Sequence, residues 1–352
     1  MRTATTVELS GGKDGKDGKD VVDFVVEAEK LGLHTCWVAE AWGSDAPSAL
    51  GYIAARTERM QLGSGVLQVG TRSPVLVAQT AITVSNLSCG RFLLGLGASG
   101  PQVIEGLHGV AFDRPLARLR ETVEIVRQVF AGGKVTYSGS EFQIPRRGGE
   151  ARPMRLSTRP EYDIPIYLAA LSPAMLRLTG RIADGWLGTS FVPEGAGDAY
   201  FTHLDAGLAA AGRSRADIDF CQGAEVAFVS DAEELRDMVA ARKTELAFSL
   251  GGMGSASTNY YNQAYSRQGW SEVAAAVRER WQRGDREGAA RLVTDEMVLA
   301  TTLIGTEEMV RSRLVAWRDA GVDTVRLYPA GDTMDAKLST LGRAIELVGA
   351  VG

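Results

Sequence analysis

Gly90-Arg91-Phe92-Leu93-Leu94-Gly95-Leu96-Gly97-Ala98-Ser99-Gly100-Pro101 is the stretch on which two α/β architectures part. Arg91 to Leu96 reads as a strand, and Gly95 to Gly100 spells GxGxxG directly after it. A doubly wound dinucleotide fold would need a helix at once, and an acidic residue at the tip of the next strand about 20 positions on. Here Pro101 follows, and Glu121 and Glu124 fall inside a helical stripe formed by Leu116, Leu119, Val123, Val126 and Phe130. The glycines then read as a tight turn at the rim of a barrel, or as backbone that a flat ligand approaches closely.

Outward from that stretch, short β-like runs alternate with helical ones. Arg2 to Val7, Thr35 to Ala39 and Met60 to Val69 read as strands before it. Between them lie a helical face of Val21, Phe24, Val25, Ala28 and Leu31, and helical segments at Pro47 to Arg56 and Pro74 to Leu87. The KDGKDGKD run from Lys13 to Asp20 is polar and punctuated by glycine, which predicts a mobile loop. Past Phe130 the rhythm breaks until about residue 160, then resumes with strands at Ile164 to Ala169, Gly185 to Thr189 and Ile218 to Val229. The glycine-rich GGMGSASTNYYNQAY segment interrupts again, and Thr324 to Leu327 is the eighth strand, followed by a closing helix over Leu338 to Val348. Repeated βα units predict a parallel sheet with helices outside. Eight strands over this length predict an α/β fold of (β/α)8-barrel type, one domain over residues 1–352 with insertions near 131–160 and 245–290.

Composition narrows the function. Hydrophobic residues make up 45% and charged residues 23%, which suits a soluble protein with a large core. The net charge is -5 and the basic residues are scattered, so neither nucleic acid nor an anionic membrane is an expected partner. Cys36, Cys89 and Cys221 stand in no metal-like spacing, and an odd, low count points to a reducing compartment. No signal peptide or bilayer-crossing run is evident, so the expected location is the cytoplasm. His34, His108 and His203 form no zinc pattern, and no metal is expected.

In a βα barrel the loops after the strands build the site. Those positions hold Glu40 to Asp45, then Gln68, Thr71 and Arg72, then Gly97, Ala98 and Ser99. Ala170, Leu171 and Ser172 follow the fifth strand, Thr189 and Ser190 the sixth, Tyr328 and Pro329 the eighth. Ser73-Pro74 and Ser172-Pro173 each mark a capped helix start, and two such ends on one rim favour a phosphorylated ligand. Glu40 follows an apolar strand and faces the site as an acid or hydrogen-bond partner. Trp42 either stacks on a ring or plugs the barrel top. Arg72 binds an anion or a neighbouring carboxylate. Asn259, Tyr260, Tyr261 and Asn262 suit a mobile cover over the site, or a loop packed at a subunit contact.

These stretches resemble the luciferase-like monooxygenase superfamily, and within it the branch dependent on coenzyme F420, a deazaflavin, that includes methylenetetrahydromethanopterin reductase. The resemblance rests on WVAEAWGSDA (37–46), LGSGVLQVGTRSP (62–74), GRFLLGLGASGPQVIEGLHG (90–109), IPIYLAALSP (164–173), Asp184-Gly185-Trp186 and GGMG (251–254). It implies a barrel, a homodimer, and a non-proline cis peptide at Gly65-Val66 bulging against the central ring of the deazaflavin. It also implies phosphate contacts at Ala170, Leu171, Ser172 and Thr189, beside coenzyme-binding backbone at Gly97, Ala98 and Ser99.

One departure matters. Several relatives carry an Asp-His pair after the second strand, where this chain has Glu40-Ala41. Without that histidine, alcohol oxidation is in doubt. A reductase remains the expectation, with hydride passing to a C=N, C=C or C=O bond of a small organic substrate and Glu40 or water supplying the proton. Trp42, Tyr260 and Tyr261 are the expected substrate contacts. Two other functions fit the same fold: an FMN-dependent monooxygenase, and a non-catalytic coenzyme-binding protein.

Overall fold

A computed structural model of the chain describes residues 1–9, 18–255 and 257–352. In chain order the strands are β1 (Arg2–Val7), β2 (Thr35–Val38), β3 (Gln61–Ser64), β4 (Leu67–Gln68), β5 (Phe92–Gly97), β6 (Tyr137–Ser138), β7 (Gln143–Ile144), β8 (Ile166–Ala169), β9 (Gly185–Leu187), β10 (Asp219–Phe228), β11 (Leu303–Gly305) and β12 (Thr324–Pro329). Parallel pairing runs β1-β2-β3-β5-β8-β9-β10-β12 and returns from β12 to β1, which closes the barrel. β4 continues β3 and pairs with β5, while β11 pairs in parallel beside the C-terminal end of β10. The dinucleotide alternative is thereby excluded, because the sheet has no point at which strand order reverses.

The barrel interior is filled by side chains, not open. Ala4, Trp37, Leu93, Tyr167, Leu187 and Cys221 form its packed centre. Trp37 and Tyr167 meet edge to face with centroids 5.1 Å apart. Glycines on neighbouring strands make room for them. A Cβ on Gly63 would lie 2.2 Å from Trp37 Cε3, and one on Gly185 would lie 2.0 Å from Tyr167 Cε1. A larger apolar shell joins the outer faces of the strands to the surrounding helices.

Two expectations need adjustment. The run from Met60 to Val69 is two strands, broken by a cis peptide between Gly65 and Val66, the position the resemblance implied. Residues 13–17 of the KDGKDGKD run lie outside the described residues. Its last three, Gly18 to Asp20, are not loop but the first turn of helix Gly18–Lys30, where Asp20 suits the helix dipole and Val22, Val25 and Ala28 supply a buried stripe. The polar look of the repeat hid that start.

Both excursions have structural content. The first carries the β6-β7 hairpin, whose turn is held by the buried Glu121 carboxylate of helix Pro115–Phe130. That carboxylate accepts from Ser140 N (2.8 Å), Ser140 Oγ (2.9 Å), Glu141 N (2.9 Å) and Phe142 N (3.0 Å). Burial by itself would raise its pKa, but these amide donors lower it below the usual range. The second is a helical segment of Ala232–Gly252, Tyr260–Tyr265, Ser271–Gln282, Arg286–Leu292 and Asp295–Thr301 with an apolar core of its own.

Candidate active site

A cleft of about 600 Å³ opens where the C-terminal ends of the strands converge. A wider hollow of about 1150 Å³ lies elsewhere, along helices Asp295–Thr301 and Glu307–Asp319, and none of the loops after β2, β4, β5 or β8 reaches it. We place the site in the smaller cleft because the barrel's loops and a helix start meet there. Thirteen of the positions expected from sequence line it: Glu40 and Trp42; Gly65 and Val66; Gly97, Ala98 and Ser99; Ala170, Leu171 and Ser172; Thr189; Tyr260 and Tyr261.

One half of the cleft is built from backbone and small side chains. The glycines of the GxGxxG match are there for strand packing. A Cβ on Gly95 would sit 1.8 Å from Ser64 O, and one on Gly97 would sit 2.7 Å from Val66 Cγ2. The bare edge at Gly97 lets the Gly65-Val66 bulge and the β5 end lie together as one flat wall. Two loop residues at this rim, Ser99 (φ 62°) and Ser190 (φ 56°), hold left-handed backbone that L side chains seldom adopt.

The end of this half is polar. Ser172 Oγ caps helix Pro173–Ile182, accepting from Met175 N at 3.4 Å, so a helix start opens on the cleft. Thr189 stands across from it, its carbonyl accepting from Tyr200 Oη at 3.2 Å. Arg267, from the helical insertion, donates to Leu171 O at 2.6 Å and leaves its buried Nε unpartnered. Such a group fits an anion. Ser73, the other expected helix cap, is exposed and does not line the cleft, so the phosphate argument rests on one helix end and one arginine.

The other half is aromatic and apolar. Trp42 is 64% exposed at the mouth, which overturns the plug reading and leaves its ring free to stack. Phe248, Met253, Tyr260 and Tyr261 continue that wall. Burial pushes the Tyr261 hydroxyl above its ordinary pKa, so it is protonated near neutral pH. The segment around it is not a loose cover. Asn259 caps helix Tyr260–Tyr265 and donates to Ser249 O and Leu250 O, both at 3.0 Å. Asn262 donates to Leu250 O at 2.9 Å and Ala274 O at 2.7 Å. The two amides peg the helix to the insertion.

Glu40 reaches the cleft but is fully engaged. Oε1 accepts from Arg72 Nε at 3.3 Å, and Oε2 accepts from Arg72 Nη2 and from Ala46 N, both at 3.0 Å. Arg72 also pairs with Asp45 at 2.7 Å, so it binds neighbouring carboxylates rather than a ligand. Gln68 braces the same loop, donating to Glu40 O and Ala41 O at 3.1 Å, and its buried Oε1 faces no protein donor.

Arg267 and Arg326 escaped the sequence reading. Arg326 had a visible sign, a lone charge inside the apolar run Val325-Arg326-Leu327. Arg267 had none, because 96 residues separate it from its partner Leu171. Among the described residues no group of three or more His, Cys, Asp or Glu side chains is placed to hold a metal. No helix there is long and apolar enough to cross a membrane.

The fold and cleft define a (β/α)8 barrel with a bulged third strand and a site shaped for a flat ligand with an anionic end. Residues 2–324 match the luciferase-like monooxygenase family, and the chain belongs to that family. It is 39% identical over 317 residues to a Mycobacterium tuberculosis protein whose name assigns it, provisionally, to the coenzyme F420-dependent oxidoreductases, covering 88% of this chain and 90% of that one. It is 31% identical over 324 residues to the 5,10-methylenetetrahydromethanopterin reductase of Archaeoglobus fulgidus, covering 92% and 93%. Its fold matches that of the coenzyme F420-dependent tetrahydromethanopterin reductase from Methanopyrus kandleri with a TM-score of 0.78, at 24% identity, over 99% of this chain and 97% of that one.

Proposed function

We propose that the protein is a coenzyme F420-dependent oxidoreductase acting as a reductase on a small organic substrate with a C=N, C=C or C=O bond. The observation that carries this is the two-part cleft, with a flat glycine-edged wall ending in Ser172 and Thr189, backed by Arg267 on the Leu171 carbonyl, and an aromatic wall opposite. Kinship with F420-named relatives over nearly the whole chain supports it. The residues fit the coenzyme. The Gly65-Val66 bulge and Gly97 to Ser99 would carry the ring, and Ala170 to Ser172, Thr189 and Arg267 its phosphate. Gln68 Oε1 and Arg267 Nε would gain partners. When bound and reduced, the deazaflavin supplies a hydride.

The chain's own residues orient, shield and protonate. Trp42, Phe248 and Tyr261 hold the substrate against the flat wall and exclude water. Glu40 acts through position. With both oxygens taken by Arg72 and Ala46, it fixes the loop that presents Trp42, and it is not the favoured acid. The protonated Tyr261 hydroxyl is the better proton source on the cleft wall. Exposed Tyr52, Leu76 and Leu87 on adjoining helices Ala46–Ala54 and Pro74–Leu87 suit the subunit face of a homodimer. Cys36, Cys89 and Cys221 are all free thiols, which suits a cytoplasmic protein.

Equilibrium fluorescence titration with oxidised F420 and with FMN tests the coenzyme assignment. Tighter binding of the deazaflavin is expected, and equal or tighter FMN binding favours the monooxygenase. Stopped-flow mixing of bound reduced coenzyme with candidate acceptors then separates an enzyme from a mere carrier.

A further inference from the structure

The floor of the cleft holds a cation with no counterion. Arg326, on β12, pairs in register with Ala4 of the packed barrel centre, so its strand position faces the interior. It lines the cleft and is 7% exposed. Its Nη2 donates to Gly188 O, and its buried Nε has no partner. Among the described residues no carboxylate pairs with it. The acids of the neighbouring β10 are engaged elsewhere, Asp219 with Arg2 at 2.8 Å and Glu225 with Arg242 at 3.0 Å.

The side chains around the guanidinium are neutral. Tyr328, Cys221 and Tyr261 are the neighbours that act on its charge. Burial pushes the Cys221 thiol up to about 12 and raises the Tyr261 hydroxyl, so both keep their protons near pH 7. Gly223 pairs directly with Arg326 in β10, and a Cβ there would stand 2.5 Å from Tyr328 Oη. The bare backbone therefore seats the Tyr328 hydroxyl beside the guanidinium. Arg326, Tyr261 and Tyr328 all line the cleft.

A guanidinium kept from water without an anion is strongly unfavourable, and the open cleft above it is where a negative group can arrive. Such a floor selects among reducible bonds. A C=N bond takes hydride readily as an iminium, whose positive charge an unpaired buried cation repels. A carbonyl, alone or conjugated with C=C, enters neutral, and the electron pair displaced by hydride ends on its oxygen. Arg326 attracts that oxygen most once the charge has formed, which is the condition for lowering a barrier.

We propose that Arg326 holds the oxyanion that forms during reduction, and that the substrate is a neutral ketone or enone rather than an iminium. Hydride adds to the carbonyl carbon, or to the β-carbon of an enone, and the π pair moves onto the oxygen beside Arg326. Tyr261 gives a proton to that oxygen or to the α-carbon, and its phenolate regains one from solvent. The Arg326 charge eases the departure of that proton, against the burial that holds it. The substrate thus gains one hydride, from the reduced coenzyme, and one proton. This narrows the reductase reading and rests on it for the hydride.

The test uses the whole protein, first without coenzyme, and para-nitrophenol, a flat oxygen acid whose yellow phenolate absorbs apart from its colourless phenol. In buffer about one pH unit below the probe's own pKa, free probe is mainly phenol. The protein is expected to turn it yellow saturably, holding phenolate at least about tenfold tighter than phenol, as an adjacent cation does. N-methylpyridinium, a flat cation with the charge of an iminium, should not displace it. Arg326→Met should still take the phenol and lose the preference for phenolate. F420 affinity, read by fluorescence, should stay within about twofold in that variant, a change worth under 0.5 kcal/mol. In stopped flow, cyclohexenone should oxidise the bound reduced coenzyme faster than an N-methyl cyclic iminium does, and Arg326→Met should slow the enone reaction by about 10²–10³-fold.

No yellowing at saturating probe, displacement by N-methylpyridinium, or an undiminished phenolate preference in Arg326→Met would each overturn the proposal. Faster oxidation by the iminium than by the enone would overturn it as well. Loss of F420 binding in Arg326→Met would do so too, by giving the cation to the coenzyme. If Arg326→Met does not fold, the two probe results on the parent protein still decide. If the parent protein holds the phenolate but does not bind F420, the coenzyme assignment fails while the oxyanion site stands.

Discussion

Replacing Glu40 with Gln separates a positioning carboxylate from a catalytic acid. The wild-type carboxylate accepts three donors, Arg72 Nε, Arg72 Nη2 and Ala46 N, at 3.3, 3.0 and 3.0 Å. Its side chain is 14% exposed and that of Arg72 17%, so the pair is shielded from bulk water for most of its surface. Glutamine keeps one acceptor oxygen and turns an NH2 toward a donor. Losing charge-assisted bonds of this kind costs about 1.5–3 kcal/mol. Arg72 keeps Asp45 at 2.7 Å, which limits the loss to the lower part of that range. Unfolding entropy of about 2.1 cal/mol/K per residue gives roughly 0.7 kcal/mol/K for a chain of this size, so 2 kcal/mol lowers Tm by about 3 °C. Differential scanning calorimetry reads that shift, and stopped-flow hydride transfer should fall less than about tenfold, against the 10²–10⁴ expected of a lost general acid. Combining Glu40→Gln with Arg72→Met should cost little more than Arg72→Met alone, because the two share one interaction. A Glu40→Gln protein that melts like the parent and loses about a hundredfold or more in rate would refute the positioning role and restore Glu40 as the proton donor.

Other outcomes follow from particular contacts. Ser172→Ala and Thr189→Val should each weaken F420 binding by about 1.5–3 kcal/mol in fluorescence titration with little change in Tm; unchanged affinity in both moves the phosphate elsewhere. Gly95→Ala drives a Cβ to 1.8 Å from the Ser64 carbonyl and should destabilise by at least about 3 kcal/mol. Gly97→Ala meets only the Val66 methyl at 2.7 Å and should impair coenzyme binding more than folding, as melting and titration side by side will show. Glu121 has a pKa lowered in the folded state, so its stabilisation is full above the unfolded value near 4.5 and is lost as pH falls through the folded value. Glu121→Gln should therefore lower Tm at pH 7 and flatten the dependence of Tm on pH below about 4.5.

Much of the fold was legible because it is written in local periodicity. Alternating apolar strands and helical stripes are short-range signals, and strand count over length chose the barrel. Pro101 after the glycine match, and Glu121 inside a helical stripe, sufficed to set aside a dinucleotide fold, and the parallel closure from β12 to β1 agrees. The barrel mouth was legible too, since residues that follow strands must gather at one rim. Eleven expected positions, from Glu40 to Thr189, line one cleft for that reason.

What only the tertiary structure decided were pairings between distant segments. Nothing near Glu40 in the chain says that Arg72, 32 residues away, will take both its oxygens and change its role. Arg267 reaches Leu171 across 96 residues, from an insertion whose path no local pattern specifies. Arg326 looked like a single polar break in a strand, and became a buried cation with no carboxylate partner among the described residues only when the barrel closed around β12. Periodicity is set by neighbours along the chain. The partner of a charge, and the water it loses, are set by what the closed barrel brings against it.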